Sequence, residues 1–219
     1  DQSVSFTDGV SANVAVVLYK AETGRTITAA DDAGSPNLAG EASSTVDVTF
    51  GSLDDFAVAL TASMEMGISF TGTNTVTARD AYDNTITDFN ASTTNVTMSV
   101  TSGGGSVQVA SRGDGVLDDA GDFSSGVANL TSIGFKYESG TSGSKTIQAS
   151  GSSKTGTDNV TITVNPPTVS TPDPSTDTQI SSGAASQAVS ATFSETNSGG
   201  TYRLYWAGSN DANYAGDST

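Results

Sequence analysis

DFSSGVANLTSIGFKYESGTSGSKTIQA, residues 122–149, carries the pattern on which the fold turns. An aromatic, Phe123, stands three residues before Gly126; an alternating apolar run follows, an acidic-Gly turn ends it, and a short T-I-x-A strand comes next. The same order of features appears near the start of the chain. There SFTDGV (5–10) leads into VAVVLYKAETGRTITA (14–29), about 117 residues earlier, with Phe6 before Gly9 as Phe123 stands before Gly126. Self-similarity at a fixed interval marks repeated structural units, so the chain reads as part of a tandem β-domain array.

Working outward from residues 122–149, one unit can be followed from end to end. FAVALTAS (56–63) has a period of two. GISFTGTNTVTARDAYDN (67–84) alternates at Val76 and Ala78 and stops at the turn Asp83-Asn84; TTNVTMSVTS (93–102) puts Val96, Met98 and Val100 on one face. SVQVAS (106–111), an Asp-rich loop GDGVLDDAGD (113–122), GVANLTSIGFKYES (126–139), KTIQAS (145–150) and DNVTITVN (158–165) complete it. About seven strands in about 110 residues, separated by Gly, Ser, Asn and Asp turns, predict an all-β fold of tandem immunoglobulin-like Greek-key β-sandwiches.

Four of the five prolines fall in NPPTVSTPDPSTD (165–177). Proline fixes φ and cannot donate to a ladder, so this stretch predicts a stiff boundary. The expected organisation is therefore the C-terminal half of an Ig-like domain over 1–51, a complete sandwich over 52–165, a Pro-rich linker over 166–177 and the N-terminal half of a further domain over 178–219. Half a sandwich cannot bury both its faces. The sequence thus predicts that copies join head to tail, by covalent repetition or by strand complementation, in a heterologous contact that does not close on itself.

Composition narrows the partners. Asp and Glu number 24 against 8 Lys and Arg, a net charge of −16. Such a surface repels phosphates and anionic lipid, so neither nucleic acid nor a membrane surface is an expected partner. The sequence shows no secretory leader and no apolar stretch of the roughly 18 residues needed to span a bilayer. Neither cysteine nor histidine occurs, which removes thiolate chemistry and the commonest general base, and no enzyme is expected.

The complete unit resembles the bacterial Ig-like tandem repeats of the Big and invasin/intimin class. The resemblance rests on GTNTVTARDAYDNTITDF (72–89), DFSSGVANL (122–130) and SGSKTIQASGSSKTGTDNVTITV (142–164). It implies an extracellular, cell-surface location and a structural role in a filament, stalk or surface adhesin. The alternative it implies is an adhesive module for a carbohydrate or a host receptor.

Two groups of residues are candidate sites. Asp114, Asp118, Asp119 and Asp122 form an acidic loop suited to calcium, since aspartate supplies hard oxygen ligands. The loop departs from an EF-hand: Ala110 and Arg112 stand at its first and third ligand places and Gly121 at its last. Arg112-Gly113-Asp114 is also an RGD tripeptide, a recognition motif when it is presented on an exposed turn. In the second group, Tyr202, Tyr205, Trp206 and Tyr214 offer aromatic faces to a sugar or receptor.

Overall fold

The computed structural model describes residues 4–8, 10–29, 41–109 and 112–164, and the backbone of two further strands at 168–173 and 190–194. The aromatic group Tyr202, Tyr205, Trp206 and Tyr214, and the 178–219 half-unit apart from that strand, lie outside the described residues.

Among the described residues the regular elements are all strands. They are β1 (Phe6–Thr7), β2 (Val10–Ser11), β3 (Glu22–Arg25), β4 (Thr28–Ala29), β5 (Glu41–Ala42) and β6 (Val46–Val48), then β7 (Leu53–Ala59), β8 (Ser63–Glu65), β9 (Thr75–Asp80), β10 (Val96–Ser102), β11 (Ser106–Val109), β12 (Val116–Leu117), β13 (Val127–Asn129), β14 (Phe135–Ser139), β15 (Gly143–Gly151) and β16 (Lys154–Thr163). Last come β17 (Thr168–Asp173) and β18 (Ser190–Ser194), an antiparallel pair that carries part of the Pro-rich stretch in extended form. The described residues are all-β, as the turn-rich, Val- and Thr-rich sequence predicts.

One continuous core lies between residues 50 and 162. A five-stranded sheet of order β12-β10-β15-β16-β8 supplies Val96, Met98, Leu117, Ile147, Ala149, Val160 and Ile162. A three-stranded sheet of order β13-β9-β7 brings Phe56, Val76, Ala78 and Ala128, and the β11-β14 pair adds Val107, Val109, Phe135 and Tyr137. Alternation places these side chains: along β9, Val76, Ala78 and Asp80 point inward while Thr75, Thr77 and Arg79 do not. Edge-to-face ring pairs link the layers, with Phe56–Phe89 at 5.7 Å and Phe89–Phe123 at 4.7 Å between centroids. Each such pair is worth about 0.5–1.5 kcal/mol beyond its burial.

Two segments that alternation predicts as single strands are each divided between sheets. FAVALTAS ends its first strand at Ala59, turns over Leu60–Ala62, and resumes as β8 alongside β16 in the other sheet. Side chains outside the segment hold the crossover: Leu60 N–H donates to Asp158 Oδ2 on β16 (2.8 Å) and Thr61 N–H to Asn74 Oδ1 just before β9 (2.9 Å). GVANLTSIGFKYES is likewise split, by a turn over 130–134 in which Phe135 N–H donates to Leu130 O (3.0 Å). β10 begins at Val96 and not at residue 93, because Asn90 holds the preceding turn through Ser92 N–H (2.9 Å).

The repeated sequence carries a repeated conformation. Thr7 pairs with Val10 across a turn in which Asp8 has φ 53°, and Ser124 pairs with Val127 across one in which Ser125 has φ 49°. A Lys–Glu ion pair follows each turn, Lys20 with Glu22 and Lys136 with Glu138.

Candidate functional site

The acidic loop is built on β11 and β12. After Val109 the chain folds back, with Arg112 N–H donating to Val109 O (2.9 Å) and Gly113 at φ 77°. Gly115 passes so close to β10 that a Cβ there would lie 2.5 Å from Met98 O; Met98 N–H donates to Gly115 O (2.8 Å). β12 then pairs with β10 and buries Leu117. A second turn follows, closed by Asp122 N–H to Asp119 O (3.1 Å) and Asp119 N–H to Asp122 Oδ2 (3.0 Å).

This folding brings three of the four predicted ligands together. Oxygens of Asp118, Asp119 and Asp122 lie within 4.8 Å of one another. Asp114 is used elsewhere in the loop, where its Oδ1 accepts from Val116 N–H (3.1 Å). The Arg112 guanidinium sits among the three carboxylates: Nη1 reaches Asp118 Oδ1 (3.2 Å) and Asp122 Oδ2 (2.8 Å), and Nη2 reaches Asp119 Oδ2 (2.7 Å) and Asp122 Oδ1 (2.6 Å). The two contacts to Asp122 form a bidentate fork, the strongest geometry open to this pair of groups. Nη1 also donates to Val116 O (2.8 Å).

Electrostatics follow the geometry. Burial alone would raise the Asp122 carboxyl, but Arg112 and the backbone N–H groups of Asp119 and Asp118 outweigh it and hold its pKa below the usual carboxylate range. The residue that breaks the EF pattern in the sequence is thus the cation at the centre of the loop. It also removes the RGD motif from display, since the Arg112 side chain faces its own loop and keeps only 20% of its surface.

A second polar constellation lies where the first 49 residues meet the core. Asp80, on the inward face of β9, accepts from Gly51 N–H (2.7 Å), Tyr82 N–H (2.9 Å), Asn84 N–H (2.9 Å) and Asn84 Nδ2 (3.0 Å). Burial pushes this carboxyl up, and the four hydrogen bonds more than reverse it, lowering the pKa to about 2. Asn84, oriented by Asp80, reaches across to the earlier segment. Its Oδ1 accepts from Ala21 N–H (2.8 Å) and its Nδ2 donates to Tyr19 O (2.7 Å). The Tyr19 and Tyr82 rings lie 4.7 Å apart.

Sequence reasoning does not single out Asp80, Asn84 or Lys145. All three have a signal. Asp80 and Lys145 stand in register with buried apolar residues, at the ends of Val76-Ala78-Asp80 and Lys145-Ile147-Ala149. Lys145 is buried, its Nζ donating to Gly103 O and to Thr141 Oγ1 (2.9 Å) over the face of Tyr137. Asn84 belongs to the Asp83-Asn84 turn. Among the described residues no buried side-chain nitrogen or oxygen lacks a partner.

No family model matches the chain, and neither does any curated protein. Similar solved structures come from the surface layer protein SbsC. Its domains 4 and 5 align with 56% of this chain at 21% identity and a TM-score of 0.32, over 62% of that structure. Domains 4–9 align with 62% of this chain at 20% identity and 0.34, and domains 1–6 with 61% at 19% and 0.33. The chain spans 18% and 16% of those two structures, and so less than two thirds of each of the three.

Proposed function

We propose that this chain is a structural repeat segment of an extracellular stalk or filament, assembled from Ig-like Greek-key sandwiches of the Big and invasin/intimin kind joined head to tail. The observation that carries the reading is the repeated turn. Asp8 and Ser125 adopt the same left-handed conformation at matching places in two copies of one sequence pattern, and each is followed by the same Lys–Glu pair. A left-handed φ in a non-Gly residue is uncommon, so its recurrence in register supports descent of both segments from one module.

The use of the polar groups supports a mechanical role. Among the described residues, Asn74, Asp80, Asp122 and Lys145 are the buried polar ones, and each binds backbone or a neighbouring side chain. A reactive site needs a polar group free to meet a substrate, and these four are committed to holding turns. Residues 53–164, on this reading, transmit tension between neighbours and do no chemistry. Electron microscopy of the native particle tests the proposal. A beaded fibre whose axial repeat matches one or two sandwiches is expected, and a particle without an axial repeat overturns it.

A further inference from the structure

Two phenols meet on the surface where the earlier segment joins the core. The Tyr19 and Tyr82 rings lie 4.7 Å apart between centroids and are tilted by 49°, yet Tyr19 is 55% exposed and Tyr82 59%. A contact so open to water buries little apolar area, and burial gives an aromatic pair most of its worth. Packing therefore does not explain why tyrosine stands at both places.

The second copy of the repeat supplies the contrast. Aligning Lys20-x-Glu22-x-Gly24 with Lys136-x-Glu138-x-Gly140 places Tyr19 at Phe135. Phe135 also meets a ring, Phe70, edge to face at 5.3 Å, and both are buried. The inward pair is Phe with Phe; the outward pair is Tyr with Tyr. What the outward pair adds is two phenolic hydroxyls side by side in water.

The backbone holds the rings where they are. Asn84 Nδ2 donates to Tyr19 O (2.7 Å) and Asn84 Oδ1 accepts from Ala21 N–H (2.8 Å), so the earlier segment is pinned at Tyr19 and at Ala21. Opposite it, the N–H groups of Tyr82 and Asn84 both donate to Asp80 Oδ1 (2.9 Å each). A single turn, Asp80 to Asn84, thus presents the two side chains to each other. Their exposure leaves the rings free to rotate and open to an oxidant.

We propose that Tyr19 and Tyr82 are an oxidative cross-linking site, at which a haem peroxidase using hydrogen peroxide joins them as dityrosine. Each phenol gives up one electron and its hydroxyl proton and becomes a tyrosyl radical. The two radicals combine through a carbon ortho to each oxygen, forming one carbon–carbon bond. The hydrogen on each coupled carbon then moves to oxygen, which restores both phenols. The two electrons and two protons released reduce one hydrogen peroxide to two waters. The 49° tilt suits the product, whose rings are kept out of one plane by the hydroxyls flanking the new bond. No cysteine is present to quench the radicals, and the three methionines, Met64, Met66 and Met98, are buried. The product is a covalent staple across a joint otherwise made by the two bonds of Asn84.

Peroxidase and hydrogen peroxide applied to the dilute full chain test the site. The expected product runs as a monomer on a denaturing gel, shows dityrosine fluorescence and has an intact mass lower by two hydrogens. Its digest is expected to contain one linked peptide carrying Tyr19 and Tyr82. Held proximity is expected to raise the yield of that peptide about tenfold over the yield from the chain in urea. Tyr19→Phe and Tyr82→Phe keep both rings, and each is expected to abolish the linked peptide with the urea midpoint unchanged. Tyr137, buried with its hydroxyl donating to Gly104 O (2.8 Å), is expected to stay unmodified. Linkage through Tyr202, Tyr205 or Tyr214 in place of this pair overturns the proposal. Covalent dimers without a linkage inside one chain also overturn it, as does an equal yield in urea. None of these results bears on the axial repeat of the native particle, so the cross-linking site and the structural-repeat reading fail separately.

Discussion

Asp80 gathers four donors on one carboxylate, three of them from the turn that follows it and one from Gly51 ahead of the core. Its pKa of about 2 in the folded chain lies below the roughly 3.9 of an unfolded Asp. A depressed carboxylate gives stability that is present above the unfolded value and is lost as pH falls through the folded one. Asp122, lowered by Arg112 and backbone donors against its burial, acts in the same direction. Urea midpoints are thus expected to hold steady above about pH 5 and to fall steeply between about pH 4 and 2. Asp80→Ala strands three backbone N–H groups and is expected to cost about 2–3 kcal/mol at neutral pH while flattening that acid limb. An unchanged acid limb in the variant would locate the titration elsewhere. Arg112 is the other residue whose removal separates readings. Arg112→Ala leaves Asp122, 3% exposed, without its partner, a loss of about 3 kcal/mol by urea unfolding. Because the guanidinium fills the space among the three carboxylates, EDTA is expected to leave the Tm of the unaltered chain where it is. In Arg112→Ala, millimolar calcium is expected to raise it, since Asp118, Asp119 and Asp122 are then free to hold an ion. A chelator-sensitive Tm in the unaltered chain would show that the ion and Arg112 coexist.

At the scale of elements, most strands were legible because alternation reports burial directly. Val76-Ala78, Val96-Met98 and Val160-Ile162 all point inward as their period requires. What alternation cannot report is a change of sheet. FAVALTAS keeps its period while the chain passes from β9's neighbour to β16's, and the cause lies outside the segment: Asp158 of β16 grips Leu60, and Asn74, just before β9, grips Thr61. The β15–β16 turn was illegible for a different reason. Ser152 and Ser153 both have positive φ, 48° and 61°, a type I′ geometry that sequences usually announce with Asn-Gly. The full ladder from Gly143–Ile162 to Gly151–Lys154 holds that turn in place without glycine's help. The acidic loop was half legible. Clustered aspartates were visible, but the carboxylates face one another only through Arg112, which spacing alone marks as a defect. The tightest point between elements is Gly156, where β16 crosses β7. A Cβ there would lie 1.6 Å from Phe56 O, which is backbone and cannot swing aside. Gly156→Ala is therefore expected to cost more than about 3 kcal/mol, read as loss of the cooperative urea transition at neutral pH. Gly121→Ala, with nothing within 4 Å of the added carbon, serves as the control and should stay within about 0.5 kcal/mol of the parent.

For the whole molecule, the sequence made the repeat visible but not the means by which one segment is held to the next. That means is short: Asn84 bonded to both Tyr19 and Ala21, and one ring contact between Tyr19 and Tyr82. Interfaces of this size leave relative motion as the default unless specific bonds restrain it. The Asp80–Asn84 turn is therefore where the stiffness of the chain is set, since Asp80 fixes Asn84 and Asn84 fixes the backbone of the preceding segment. Asn84→Ala removes the acceptor of the Ala21 N–H and one of the four donors on Asp80, and leaves the buried apolar side chains in place. Hydrogen–deuterium exchange is expected to quicken at Ala21 by at least tenfold, with the amides of Val76, Ile147 and Val160 unchanged, because local opening and global unfolding are separate events. Small-angle scattering of the same variant should show a broader distribution of lengths. If Ala21 keeps its protection, the Tyr19–Tyr82 contact alone holds the segments together, and Tyr82→Ala becomes the variant that releases them. If the core amides quicken as well, the turn belongs to the folding of residues 53–164 and not to the coupling between segments.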